Sequence, residues 1–107
     1  MRAAMTPLVD IAAAEPVAVL RRSRVGLSTA GLRAKNIERH TIWAATLAPV
    51  IAERLAETHP HAAMAAEALA QSALACLYVA TMAWVTSDGA DSYAVLMDEA
   101  FAAVGRL

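Results

Sequence analysis

Glycine, proline, cysteine and aromatic residues are all scarce in this sequence. Four glycines and four prolines among 107 residues are too few for a fold built on many tight turns. The single cysteine, Cys76, excludes an internal disulfide, so a reducing cytoplasm is the expected compartment. There is no Ser-x-x-Lys, Gly-x-Ser-x-Gly, Glu-x-x-His or glycine-rich phosphate loop. Nothing in these motifs indicates an enzyme, and no cofactor is expected.

Net charge is also nearly absent. The formal charge of −1 excludes a wholly basic nucleic-acid-binding module. The basic residues are nevertheless concentrated between residues 21 and 39, where only Glu38 opposes them: Arg21, Arg22, Arg24, Arg33, Lys35 and Arg39. Such a band could contact phosphate, an anionic ligand or an acidic neighbour, and a solvated face is the simpler interpretation.

Targeting and membrane-spanning segments are not expected. Pro7 and Asp10 interrupt any apolar run near the start of the sequence, which therefore lacks the pattern of a signal peptide. The stretch between Glu67 and Asp88 is uncharged and long enough to cross a bilayer. It is rich in alanine, however, and no Lys or Arg flanks it. We therefore expect a buried helix and no membrane contact.

Metal and nucleophile sites are not indicated either. His59 and His61 flank Pro60, so they cannot both point to one side of a helix, and no cysteine or clustered carboxylate joins them. A solvated turn is the expected structure there. Cys76 lies among apolar residues and is interpreted as a small packing residue. Asp98 and Glu99 are adjacent, which points them apart and predicts a solvated face instead of a catalytic pair.

Alanine is what the sequence has in abundance. The 28 alanines and the 59% of apolar residues predict an all-helical protein, and the length predicts one domain over residues 1–107. Five helical segments are predicted: about 1–14, from Pro16 to about 25, from 29 to about 57, from about 61 to 86, and from about 92 onward. Pro49 predicts a kink near residues 45–49 in the third segment. Gly89 suits a left-handed cap after the fourth.

The fourth segment carries two different faces. One is apolar and bordered by small side chains, which let another helix approach closely; it comprises Leu69, Ala73, Cys76, Leu77, Ala80 and Trp84. The other mixes apolar and polar groups: Met64, Glu67, Gln71, Leu74, Tyr78, Met82 and Val85. A ligand pocket has this mixture of apolar walls and a few orienting polar groups. Alternatively, Gln71 and Tyr78 bond to backbone groups inside an ordinary bundle.

Residues 28–54 resemble the C-terminal domain of TetR-family transcriptional regulators. The resemblance rests on Ser28-Thr29-Ala30-Gly31-Leu32-Arg33, then Glu38-Arg39, Trp43, Leu47-Ala48 and Ala52-Glu53-Arg54, and the ending Leu96–Phe101 is similar to the last helix of that family. It implies a five-helix orthogonal bundle whose last two helices pair with those of a second copy as a four-helix bundle. It also implies a domain that senses an effector and shifts the DNA-binding state of its parent regulator, which is expected to be a repressor.

The resemblance also implies two sets of site residues. The homodimer interface would comprise Ala73, Leu77, Ala80, Trp84, Leu96, Ala100 and Phe101. A small, largely apolar effector would bind among Trp43, Leu47, Met64, Gln71, Tyr78 and Met82. The helix-turn-helix domain through which the family binds DNA is absent from this chain, so we expect either a fragment or a natural truncation.

Two functions of other classes remain open. A free-standing helical dimerisation module would have a closed interior with no cavity beside Tyr78. A small helical enzyme would need a perturbed pair of titratable groups in a cleft, and the residue spacings offer none.

Overall fold

Residues 2–105 of the chain, described here by a computed structural model, form five α-helices and no strand. A 3₁₀ turn over Arg2–Met5 leads into the first helix. The helices are α1 (Thr6–Ala14), α2 (Pro16–Leu27), α3 (Ala30–Leu55), α4 (Ala62–Thr86) and α5 (Tyr93–Gly105). The predicted all-helical class and the order of the five segments are confirmed. The first residue of the first predicted segment lies outside the described residues.

Local sequence explains where the helices begin and end. Pro16 occupies the first turn of α2, where its missing N–H is not needed. The segment before it, Arg2–Ala14, makes an angle of 113° with α2. The Thr29 hydroxyl accepts a hydrogen bond of 3.1 Å from the backbone N–H of Leu32 and so caps α3. These local signals determine where the chain turns between α1 and α2 and between α2 and α3.

Pro49 does not interrupt α3. The helix is continuous from Ala30 to Leu55 with Pro49 inside it, so the kink predicted near residues 45–49 does not break the helix into two. A proline removes one backbone hydrogen bond and crowds the preceding turn. The long flanking stretches, packed against α4, hold the helix together across that position.

The turn between α4 and α5 contains two consecutive residues in the left-handed region. Asp88 has φ +57° and Gly89 has φ +76°, and the Gly89 N–H donates to the Trp84 carbonyl over 2.9 Å. The left-handed cap predicted at Gly89 is confirmed. A Cβ at Gly89 would lie 3.3 Å from Leu20 Cδ2, so α2 packs closely over this turn, and Arg24 forms an ion pair with Asp88.

Helix α4 is the centre of the bundle, with its most extensive contacts to α3 and α5. Eight of its residues are buried: Ala66, Ala70, Ala73, Leu74, Cys76, Leu77, Ala80 and Trp84. Met97 of α5 is fully buried against this cluster, and Ala44 supplies its α3 side. By length and a mean hydropathy of 1.5, α4 also meets the criteria for a membrane span, which core helices of water-soluble proteins often meet as well.

Helix α5 packs on α4 of the same chain through specific contacts. The rings of Trp84 and Tyr93 stack with centroids 4.9 Å apart. The Thr81 hydroxyl donates to the Leu77 carbonyl, so the bond of 2.7 Å between Thr81 and Tyr93 is donated by the Tyr93 hydroxyl. Burial raises the pKa of Tyr93.

The predicted dimer face of α4 is therefore largely the core of one protomer. Ala73, Leu77, Ala80 and Trp84 are each at most 5% exposed, which leaves no surface at these four residues for a second copy. The small side chains do permit close approach of a helix, as predicted, but that helix belongs to the same chain: Cys76 Sγ lies 3.6 Å from the Ala100 carbonyl oxygen. The three α5 residues assigned to the interface, Leu96, Ala100 and Phe101, are half-buried against the same core.

Candidate functional site

An open groove runs between α3 and α4. It consists of two adjoining hollows with volumes of about 280 Å³ and about 510 Å³, which share Thr41, Ala44 and Gln71. The smaller hollow, called the cleft below, is lined by Ile37, His40, Thr41, Ala44, Gln71, Leu74, Ala75 and Tyr78. The larger is lined by Thr41, Ala44, Ala45, Ala48, Pro49, Ala52, Ala63, Glu67 and Gln71. Each volume is in the range of small-molecule sites or close to it.

Alanine spacing explains why the groove is open. Ala44, Ala48 and Ala52 follow one another every four residues on α3, and so lie along one side of the helix. Ala63 and Ala75 line the opposite wall on α4. Larger side chains elsewhere along α3 and α4 set the distance between the two helices. The methyl groups of the alanines are too small to fill the space that this distance leaves. The groove is therefore a direct result of composition.

Polar side chains lie at defined places in this apolar groove. Gln71 Nε2 donates to Glu67 Oε1 over 3.2 Å. The Thr41 hydroxyl donates to the Ile37 carbonyl over 3.1 Å, so its oxygen can still accept a hydrogen bond. His40 and Tyr78 face each other across the cleft, with ring centroids 6.3 Å apart and planes nearly perpendicular. This arrangement can orient a bound molecule through hydrogen bonds while the alanines contact its apolar part.

His40 is the titratable group of the cleft. Its ring lies 5.4 Å from that of Trp43, one turn away on α3. Burial lowers the pKa of His40 below its ordinary value of 6.5, and the charge of Arg39 lowers it further. The imidazole is consequently neutral at pH 7, when it carries one hydrogen-bond donor and one acceptor.

We expect the lowered pKa of His40 to make stability depend on pH. Below about pH 6.5 the unfolded chain takes up a proton at His40 that the folded chain resists, so the free energy of unfolding falls as the pH falls. The expected loss is of the order of 0.5 kcal/mol, because the half-exposed ring is screened by solvent. Urea unfolding from about pH 7.5 to about pH 5.5 measures it. His40→Gln should reduce the pH slope, and an unchanged slope in that variant would contradict the assignment.

The structure brings together two of the six residues predicted to line the pocket. Gln71 and Tyr78 both line the cleft. Leu47 is half-buried against the core instead, and Trp43 packs on His40 at 40% exposure.

The two predicted methionines do not line the groove. Met64 is 66% exposed and Met82 is 40% exposed, and neither belongs to either hollow. Both methionines lie along α4 beyond the part of the helix that lines the cleft, which runs from Gln71 to Tyr78.

The sequence predicted a wall of the pocket on α3 through Trp43 and Leu47, but other residues of that helix line the cleft. Ile37, His40, Thr41 and Ala44 occupy positions i, i+3, i+4 and i+7, which is one face of a helix. That spacing is visible in the sequence. Because the four residues differ in polarity, however, they stand out less than Trp43, which is a large aromatic residue. Ala75 and the alanines of the larger hollow carried no distinguishing signal.

Within residues 2–105, no group of three or more His, Cys, Asp or Glu side chains is arranged to hold a metal ion. His59 and His61 are both exposed in the turn before α4, where His59 Nδ1 accepts a hydrogen bond from the backbone N–H of His61. Cys76 is buried, and burial raises the pKa of its thiol. The site is thus an apolar cleft with a histidine, a tyrosine and an amide.

Comparison with known protein families shows to which family the chain belongs. The family described as the MftR C-terminal domain, one of the TetR C-terminal domain families, matches residues 1–106. The chain is a TetR-family C-terminal domain. No curated protein and no solved structure matches it. As a TetR-family C-terminal domain, it belongs to a group of transcriptional regulators and not to an enzyme family. Such domains typically dimerise and bind small effectors, and TetR-family regulators are soluble cytoplasmic proteins.

Proposed function

We propose that this domain binds a small, largely apolar effector in the groove between α3 and α4. The observation that supports this most directly is the cleft of about 280 Å³ beside Tyr78. A module that only dimerises has no need of such a hollow, since a closed helical interior is more stable than one with unfilled space. Its apolar walls and its few polar groups are the usual composition of a small-molecule site.

The domain also acts, we infer, as the homodimerisation unit, through an outer face of α4 different from the one first predicted. Spacings of seven, four and three residues place exposed side chains along one uncharged side of α4: Ala68, Ala75, Val79 and Met82. Val79 is 58% exposed and Met82 is 40% exposed. Monomeric proteins rarely expose a continuous apolar surface along a helix. Pairing these faces across a two-fold axis covers it.

Helix α5 contributes to the same proposed interface. Val95 and Val104 are about half exposed, at 52% and 48%, and Leu96, Ala100 and Phe101 are only half-buried by their own chain. Helices α4 and α5 of two copies would form a four-helix bundle. The parent regulator would contact DNA through a helix-turn-helix domain outside this sequence, in the cytoplasm, and effector binding would shift the relative position of two such domains.

Filling the cleft should abolish effector binding. Thr41→Trp places an indole at the wall that the two hollows share, at an exposed position of α3 outside the proposed dimer interface. A ligand at 100 times its Kd stabilises the native state by about 2.7 kcal/mol, and we expect most of this stabilisation to disappear in the variant. Thermal unfolding with a library of apolar small molecules measures the effect.

The matched control is Ala18→Trp, which adds the same ring to an exposed alanine of α2 that lines neither hollow. Compounds that stabilise the wild type should stabilise this control equally. Tyr78→Phe should reduce the shift while leaving the unliganded protein almost as stable. Compounds that stabilise the Thr41→Trp variant as much as the wild type would place the effector site elsewhere.

A further inference from the structure

The cleft between α3 and α4 is chemically asymmetric. The pair His40 and Tyr78 lies against apolar walls that include Ile37 and Leu74. The Arg39 guanidinium is close enough to act on the charge of His40. The carboxylate nearest to the groove, that of Glu67, lines the neighbouring larger hollow. Arg39 is exposed and does not line the cleft, so its charge acts on His40 from outside the cleft.

The hydrogen-bonding groups of the cleft differ in what they still offer. Gln71 uses an amide N–H on Glu67, and the Thr41 hydroxyl donates its proton to the Ile37 carbonyl. The His40 imidazole and the Tyr78 hydroxyl make no hydrogen bond to other groups within residues 2–105, and their polar atoms are not sealed from solvent. Both can donate to a ligand. Two free donors facing each other across a cleft favour an anionic acceptor, because charge-assisted hydrogen bonds are the stronger ones.

We propose that the cleft selects an apolar molecule carrying a carboxylate, and that His40 and Tyr78 bind this carboxylate. The inference rests on the proposed effector site and names its ligand class. The apolar part of the molecule lies along Ala44 and Leu74, in a hollow large enough for a ligand of about two rings. Glu67 repels a carboxylate from the other end of the groove, which fixes the direction in which the ligand binds.

Binding in this way couples to a proton. A carboxylate beside His40 favours the imidazolium form and raises the pKa of His40 in the complex. The charge of Arg39 on α3 opposes protonation of His40. On α4, Tyr78 faces the His40 ring, and Glu67 lines the neighbouring hollow. The complex therefore holds a proton that the free protein does not bind at the same pH, so affinity for a carboxylate increases as the pH falls from about 8 to about 6.

Calorimetric titration of the full chain with two matched probes tests the proposal. The probes are 2-naphthoate and 2-naphthamide, which share the ring system and differ in charge. We expect 2-naphthoate to bind about fivefold more tightly than the amide at about pH 6, with an affinity that decreases toward pH 8. The affinity for 2-naphthamide should not change with pH in this way.

Two variants separate the roles of the residues. His40→Gln keeps a hydrogen-bond donor but cannot be protonated, so the pH dependence should vanish and the preference for naphthoate should fall toward one. Arg39→Gln changes an exposed side chain and should reduce the preference without removing the pH dependence. Arg22→Gln, an exposed arginine of α2 outside the cleft, is the control and should have no effect.

The outcomes distinguish this inference from the function on which it rests. Equal binding of the two probes, or tighter binding of the amide, overturns the carboxylate assignment and leaves the effector site in place. A preference for naphthoate that persists unchanged in His40→Gln overturns the role of His40. Failure of both probes to bind, together with no stabilisation by any library compound, overturns the site and the ligand class together.

Discussion

Replacing Val79 by arginine should convert the proposed dimer into a folded monomer. Val79 is 58% exposed in the single chain, so the arginine remains in water when the protomer is alone. In the dimer the same side chain would place an unpaired charge inside an apolar helix contact, at a cost of about 2 kcal/mol or more. The dissociation constant should rise about thirty-fold or more.

Sedimentation at micromolar concentration gives the result directly. The wild type should sediment with about twice the chain mass of 11.2 kDa, and the variant with the mass of one chain and an unchanged helical circular dichroism spectrum. Val17→Arg is the matched control, because Val17 is 69% exposed on α2 and away from the proposed interface. A wild type that sediments as one chain would contradict the dimer, and a dimeric Val79 variant would contradict this interface.

Replacing the next residue, Ala80, by arginine should have a different result. Ala80 is 2% exposed and belongs to the core cluster with Leu77 and Met97. An arginine there must either bury an unpaired charge or push α5 away from α4, at a cost of about 3–5 kcal/mol. Domains of this size are stable by only about 5–15 kcal/mol, so the variant should be unfolded or close to it.

Urea unfolding followed by circular dichroism measures this effect. Met97→Ala offers a milder comparison, since removal of a fully buried methionine side chain costs about 2–5 kcal/mol. The two arginine substitutions then distinguish the two sides of α4. Val79→Arg should change the oligomeric state, and Ala80→Arg should change the stability of the fold. If Ala80→Arg remained fully folded and became monomeric, the original assignment of Ala80 to the dimer interface would be correct after all.

The helices of this fold could be predicted because their signals are local. Pro16 at a first turn, the Thr29 cap and the left-handed Gly89 each act within a few residues, and apolar spacing defines a helix without knowledge of its neighbours. The third segment was likewise predicted as one helix through Pro49, and α3 is continuous from Ala30 to Leu55.

The orientation of α4 was harder to predict, because both of its sides are apolar. Alanine dominates the helix, and no charged residue between Glu67 and Asp88 marks which side is exposed. The close helix contact at Cys76 and Ala80 exists, but with α5 of the same chain. Periodicity shows which residues share a face and not which molecule covers that face.

The candidate site was predictable only on its α4 side. Gln71 and Tyr78 are polar residues in an apolar stretch, which marks them as unusual in a sequence. On α3, His40 is surrounded by other polar residues and does not stand out in the same way. Its role depends on which residue of α4 it meets, and that is a property of the assembled helices.

The cleft and the proposed interface adjoin on α4, and Ala75 belongs to both surfaces. Ligand binding and self-association are then linked equilibria, and the factor by which the ligand changes the dimerisation constant must equal the factor by which dimerisation changes the ligand affinity. The apparent affinity for an effector would therefore depend on how much of the protein is present. A cell could adjust the sensitivity of such a regulator through its abundance alone, with no change in the binding cleft.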